Sequence, residues 1–297
     1  MGEMSPSPEL VTAWRHHRAW SQAAGRLKSS IERAQQIALA LAIITAVIAV
    51  AAEQLHETST SLARVAAAGA AITAGLATLV LRRLSSGAIR AWSRGRSASE
   101  GLKSEVFSYL SGATAYTGTD RDRVLSTRQS DINQAASYLL RHTLDAEPDD
   151  KPLPAVTDVD SYVQLRLDTQ IEGYYRARAR VYQRRLDRYR VLGDILGVLA
   201  VVLAGLSVVF ADQGYSAWVP VITTASTSVV AYVAATRLDF QVIEFLRTAQ
   251  HLQRLRADHQ SPSSSLSDAA FVQACEEAIS TENKGWMARW VDPAESS

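Results

Sequence analysis

Four apolar segments in two pairs recur along this chain at an offset of about 155 residues. Ile37 to Ala52 and Val65 to Leu81 form the first pair; Val191 to Ala211 and Trp218 to Ala235 form the second. None of them contains Lys or Arg, and Asp194 is their only charged residue. As helices rising 1.5 Å per residue they would extend roughly 24 to 32 Å, which brackets the ~30 Å hydrocarbon layer of a bilayer. The first pair spans it with help from its flanks, and the second pair spans it outright. The alternative, helical hairpins buried in a soluble bundle, would need a core several helices deep to hide four such segments all round. The expected fold is therefore all-α: an integral membrane protein with four transmembrane helices in two duplicated hairpins.

Basic residues set the expected orientation. Arg26, Lys28 and Arg33 precede the first segment, and Arg82, Arg83, Arg90, Arg94, Arg96 and Lys103 follow the second, while the loop from Glu53 to Arg64 holds a single Arg against Glu53 and Glu57. Around the second hairpin Arg184, Arg185, Arg188 and Arg190 come before, Arg237 and Arg247 after, and Asp212 is the only charge in the loop. Positive charge stays on the cytoplasmic side, so both loops are expected outside and both termini in the cytoplasm. The single cysteine, Cys275, permits no intrachain disulfide. Met1 to Leu10 lacks the apolar core of a cleavable signal peptide, and Pro6 stands where a myristoylation signal needs Ser or Thr.

Outside the spans the pattern is helical. Tyr182, Leu186, Tyr189 and Gly193, and then Leu238, Val242, Phe245, Ala249 and Leu252, follow the 3-4 spacing of a coiled-coil seam. The stretch from Arg82 through Leu110 carries a weaker stripe interrupted by Gly87, Gly95 and Gly101, which argues against one unbroken helix. Gly112 to Gly118 reads as a break and Thr119 to Leu144 as a helix. Pro148 to Pro154 holds three prolines in seven residues, so residues 148–160 form the expected linker between two units, 1–147 and 161–297. Ser261 to Ser267 connects to a last helix from Asp268 to about Trp290.

The doubled two-span unit with long flanking helices resembles the SLATT family, the SMODS- and SLOG-associating two-transmembrane effector domains. The second half carries the resemblance in Tyr174, Tyr175, Arg176, Arg180, Tyr182 and Arg184, in its two spans, in the helix through Gln250, Leu252 and Leu255, and in Glu282, Asn283, Trp286 and Trp290. The first half, with Trp14 and Trp20 ahead of its hairpin, looks like a companion copy in tandem. The resemblance implies a pore-forming or membrane-disrupting effector of bacterial antiphage defence, triggered by a nucleotide signal or a separate sensor protein. No Gly-rich strand-to-helix turn is present to cradle a phosphate. Asp158 and Asp160 lack the Gly-Ser turn of a nucleotidyltransferase and read as linker charge and a helix N-cap.

Several side chains are candidates for function. Thr223, Thr224, Ser226, Thr227 and Ser228 cluster near the middle of the fourth segment; hydroxyls there either face water in an assembled pore, with Thr223 and Thr227 on one row, or bond back to their own helix. Asp194 is either a gating charge or one half of an interfacial pair with Arg190. Gly193, Gly197 and Gly205, and Ala66, Ala70 and Ala74, form small-residue faces suited to helix packing within or between subunits. The run of Arg176, Arg180, Arg184, Arg185 and Arg188 suits anionic lipid headgroups, at ~1 kcal/mol per residue near the surface, or a phosphate-bearing ligand. Nucleic acid would compete there with an anionic membrane, so no nucleic-acid partner is expected. His16 and His17 are adjacent and point to different helix faces, a poor metal pair, and no nucleophile-base spacing accompanies any histidine. Together with the resemblance, which implies the bacterial inner membrane, these residues lead to an expected homo-oligomer with lipids as partners, no cofactor, no metal and no catalytic site. A membrane scaffold that recruits a soluble partner is the alternative.

Overall fold

The computed structural model describes residues 6–56, 58–82, 84–146, 151–210 and 215–291, with the backbone alone for residues 86 and 282–291. The described residues contain helices and no strand. The principal helices are α1 (Pro8–His56), α2 (Thr60–Arg82), α3 (Ser86–Leu110), α4 (Arg121–Ala135), α5 (Val159–Tyr162), α6 (Ala177–Val209), α7 (Val219–Thr236), α8 (Leu238–Gln260) and α9 (Asp268–Val291). A π-helix, Val163–Arg176, joins α5 to α6, and 3₁₀ turns occupy Ser137–His142 and Tyr215–Trp218. Four of the resulting helical stretches are long and apolar enough to cross a membrane: Pro8–His56, Thr60–Leu110, Val159–Val209 and Tyr215–Gln260.

Two compact bodies arise, and each draws on both sequence halves. The head comprises residues Met1–Ser29, Ser86–Ala179 and Ile243–Ser297; the membrane body comprises Ser30–Ser85 and Arg180–Val242.

In the head, the first turns of α1 pack with α3 and α4. Leu10, Ala13, Val106, Tyr109, Tyr116 and Leu125 form one apolar cluster, and Trp20, Ala91, Ala98, Leu102, Ala136 and Leu139 form another. Glycine in α3 serves close approach rather than helix interruption. A Cβ on Gly95 would stand 3.9 Å from both Ala24 and Trp20, and one on Gly101 would stand 3.4 Å from Ile132. The chain instead breaks before Ser86, so the expected weakness at Arg82 to Leu110 lies at the start of that stretch. The helix expected from Thr119 to Leu144 also changes form, because α4 ends at Ala135 and a 3₁₀ turn follows. With three residues per turn, Leu139 and His142 fall on one edge of it, and Leu139 is buried in the second cluster. Gly112, at φ 67°, makes the turn after α3 in a conformation that L side chains resist.

The head also buries charge. Arg166, on the π-helix, donates from Nε and Nη2 to the two carboxylate oxygens of Glu276 on α9, each at 2.8 Å, and Tyr162 donates to the same carboxylate at 2.9 Å. Both ions are almost fully buried, Arg166 at 1% and Glu276 at 4% exposure. The Phe107 ring lies 4.8 Å beneath the guanidinium. Fork-to-carboxylate geometry and the tyrosine hydroxyl supply the partners that a pair removed from water requires. Asp158 caps α5 through a reciprocal bond with Ser161, as the sequence suggests.

Along α1 the inward positions run Leu10, Ala13, His17, Trp20, Ala24, Leu27, Ile31, Ala34, Ala38, Leu41, Thr45, Ile48 and Ala52, all buried or half-buried. Their spacing alternates 3 and 4 without a fault, the period of a left-handed supercoil seam. The seam in α8, Leu238, Val242, Phe245, Ala249 and Leu252, is buried throughout. At the α7–α8 junction Arg237 adopts the left-handed conformation, φ 46°, and ends the fourth span.

Candidate functional site in the membrane body

The first hairpin closes on small residues. Ala63 and Ala70 are buried in α2, a Cβ on Gly69 would meet Ile48 Cγ2 at 3.8 Å, and Thr45 Oγ1 lies 2.8 Å from Thr73 Oγ1 across the pair. The carbonyls of Leu41, Gly69 and Ala70 are also within reach of these two hydroxyls. Polar atoms in a hydrocarbon layer are satisfied by this combination of back-bonding and cross-helix pairing. Of the small residues proposed for packing, Ala70 is buried, Ala66 half-buried and Ala74 exposed; the covered edge passes through Thr73 and Ala77 instead.

The second hairpin is built differently. In α7 the buried residues are Val221, Ala225, Val229, Tyr232 and Thr236, a stripe at 3- and 4-residue intervals. At 100° per residue, Thr223 and Thr227 project from the opposite side of the helix, and both are exposed, as is Thr224; Ser228 is half-buried at the margin. Thr223 Oγ1 donates to the Val219 carbonyl at 2.8 Å. The chain therefore presents a hydroxyl face that its own packing does not cover.

α6 presents even more uncovered surface. None of its apolar window is buried within the chain, against 28% for the window of the fourth helical stretch. Among the described residues, a Cβ added at Gly193, Gly197 or Gly205 would meet nothing within 4 Å, so open space borders this face of α6. Asp194 is exposed and forms no ion pair with Arg190 among the described residues.

Where α6 enters the membrane body, Tyr189 and Tyr232 pack with ring centroids 4.8 Å apart, and Arg185 donates from Nη2 to the Tyr232 hydroxyl at 3.2 Å. Glu32 adds a nearby negative charge. This junction ties α6 to α7 and was not legible from spacing alone; the signal that could have found it is a tyrosine near the end of an apolar segment, the usual place of aromatic belts. The arginine run divides. Arg180, Arg184 and Arg188 share one exposed ridge at four-residue intervals, Arg185 turns toward Tyr232, and Arg176 belongs to the head, where it bonds Gln253 at 2.9 Å and pairs with Glu172.

Hydrogen bonds hold His16 and His17. His17 is buried, with Nδ1 2.8 Å from the Ser99 carbonyl, and the amides of Gln129 and Asn133 reach His16 Nδ1 at 3.0 and 2.9 Å. Burial, aided by Lys103 and Arg166, pushes His17 down to about 4 against the opposing Ser99 bond and Glu100. Among the described residues no three His, Cys, Asp or Glu side chains come together as a metal site would need. The side chains of Glu282, Asn283, Trp286 and Trp290, and the loop residue Asp212, lie outside the described residues.

These features define an all-α membrane protein of four spanning helices with a helical head. Residues 162–286 match the SMODS and SLOG-associating 2TM effector domain 1, so this segment is similar to the SLATT domains. The two transmembrane segments of that description correspond to the third and fourth apolar helices. Residues 18–123, around the first hairpin, match a second family described as a protein of unknown function, DUF4231. Neither a curated protein nor a solved structure matches the chain.

Proposed function

We propose that this protein is an oligomeric membrane effector that opens a regulated pore, or perturbs the inner membrane, in a bacterial defence system. The observation that carries the reading is the uncovered hydroxyl face of α7. Thr223 and Thr227 stand opposite the packed stripe, so association of several copies would bring these faces around a common axis where water could satisfy them. The glycine-lined side of α6 leaves room for a neighbouring helix to approach closely. Asp194, one turn inside the span, would lie at the mouth of such a path. The two hairpins are read as tandem copies of one unit, 1–147 and 161–297 joined through 148–160, with both termini in the cytoplasm as the arginine distribution favours. In that orientation Arg180, Arg184 and Arg188 would meet anionic headgroups or a phosphate-bearing signal, and a separate sensor would deliver the trigger.

The test is membrane potential in bacteria, followed with a voltage-sensitive dye as the native chain or its Thr223→Val, Thr227→Val variant is induced. Depolarisation by the native chain alone is expected. If the valine variant depolarises equally, at equal membrane levels, the α7 path is wrong. A membrane-anchored scaffold is the second reading, favoured by the large fraction of the chain outside the spans. It expects both chains to leave the potential unchanged.

A further inference from the structure

The π-helix Val163–Arg176 is 14 residues long, whereas this conformation ordinarily takes a single turn within an α-helix and often marks a functional site. Burial keeps the same count. From Tyr162 the buried positions run through Arg166 with Leu167, then Gln170 with Ile171, to Tyr175. The exposed ones run through Gln164 with Leu165, then Thr169, then Glu172 with Gly173, to Arg178. Tyr162 to Tyr175 and Leu165 to Arg178 each take 13 residues for three turns. Beyond Tyr175 the buried positions Ala179, Tyr182 and Leu186 return to the 3- and 4-residue steps of an ordinary helix seam.

On an α-helix the same side chains would face elsewhere. Arg166 stands nine places before Tyr175, which at 100° per residue turns it about 180° away. Tyr175 is fixed against α8, its ring centroid 6.1 Å from that of Phe245. An α-helical segment anchored there would carry Arg166 out to water and bring Gln164 and Asp168 onto the covered side. What opposes that turn is α9. The fork of Arg166 and the hydroxyl of Tyr162 both donate to the Glu276 carboxylate, whereas Gln170 accepts from Arg166 Nη1 only at 3.5 Å.

We propose that this segment is a two-state winding switch: α9, through Glu276, clasps it in the π form, and release of α9 lets it relax to an α-helix with Arg166 in water. The balance between the forms is close. A buried ion pair adds little net stability, because its attraction is set against the cost of removing both ions from water. The α form regains the ordinary backbone hydrogen-bonding pattern while giving up the packing of Tyr162 and Leu167. Packed interiors hold discrete arrangements rather than deforming continuously, so the change is one step between two windings. The segment runs on without a break into the third span, in the helical stretch Val159–Val209. The switch lies within the head and stands whether the spans open a path or only anchor.

The experiment builds bis-histidine Ni²⁺ sites at exposed positions of the full chain in detergent micelles, where one metal ion needs both imidazoles on one side of the helix. At about 83° per residue, Gln164→His with Thr169→His sets two imidazoles about 55° apart on the π form, against about 140° on an α-helix. Thr169→His with Glu172→His sets them about 110° apart on the π form, against about 60° on an α-helix. None of these substitutions touches Tyr162, Arg166 or Glu276, so the clasp is intact in every chain compared. The resting chain is expected to bind Ni²⁺ at least tenfold more tightly through the first pair than through the second. Coupling between two equilibria is reciprocal. Saturating Ni²⁺ is therefore expected to slow maleimide modification of the buried Cys275 at least threefold on the first pair and to speed it at least threefold on the second, each against the unsubstituted chain in the same Ni²⁺. Equal or tighter binding by the second pair would overturn the proposal, since the segment is then not held in the π form. Binding as expected, with Cys275 rates the same or reversed between the two loaded pairs, would overturn it as well, since the winding is then independent of α9.

Discussion

Removing the carboxylate of Glu276 should open the head at α9, and Cys275, the next residue back, is a reporter already in place. The thiol is buried, and burial together with the Glu276 charge pushes it up to about 12, so the native chain should label slowly. Glu276→Leu leaves Arg166, 1% exposed, without the carboxylate that its fork grips, and removes the acceptor that Tyr162 meets at 2.9 Å. Breaking a buried pair by deleting one partner costs about 3–5 kcal/mol, which raises the open population by roughly two to three and a half orders of magnitude. Glu276→Gln keeps an acceptor and should fall at the lower end. The assay is the rate of Cys275 modification by excess maleimide, divided by the rate in full denaturant so that the altered thiol acidity cancels. The double variant Arg166→Met, Glu276→Leu should return toward the native rate, because apolar side chains of similar volume replace both ions. If the single variants label within about threefold of the native chain, the pair does not hold α9 and the reasoning fails.

Three further outcomes are expected. His17, held near pKa 4 by burial against 6.5 when exposed, contributes fully above pH 6.5 and loses that contribution as pH falls toward 4. The slope is at most about 1.4 kcal/mol per pH unit, so thermal melts from pH 7 to 5 should drop in the native chain and flatten in His17→Gln. Thr45→Val and Thr73→Val should each weaken the first hairpin by about 0.6–2 kcal/mol, and a double-mutant cycle in detergent should return a coupling energy of the same sign; additive effects would mean the hydroxyls act only on their own helices. Gly112→Ala, at φ 67° with open space around the new Cβ, should cost about 1–2 kcal/mol from backbone strain alone in denaturant titration.

The spans were legible because apolar length and the absence of Lys and Arg are properties of each segment by itself. So was the α8 seam, whose Leu238 to Leu252 positions stand out against polar neighbours. The longer seam of α1 was not, for opposite reasons at its two ends. Near the head its inward positions are small, as in Ala13 and Ala24, or polar, as in His17. Past Ile37 every neighbour is apolar too, and periodicity disappears. Gly95 and Gly101 read as helix weakness because the sequence does not show Trp20 or Ile132 arriving beside them. Arg166 and Glu276 lie 110 residues apart, and each resembles an ordinary solvated helix charge until the fold brings them together. Of the candidate site, the hydroxyl cluster was legible as composition, while the direction in which it points required the buried stripe of α7.

The joining of Arg166 to Glu276 also imposes an order on synthesis. Arg166 leaves the ribosome before the second hairpin, and its partner follows only after that hairpin, α8 and the start of α9 have been made. Until residue 276 appears, the Arg166 fork lacks the carboxylate that it grips, and the surfaces of α3 and the π-helix that α9 covers stay open to water. A chain interrupted anywhere in that interval carries a complete set of apolar spans on a head that is not closed, and cellular quality control can recognise that state and remove it.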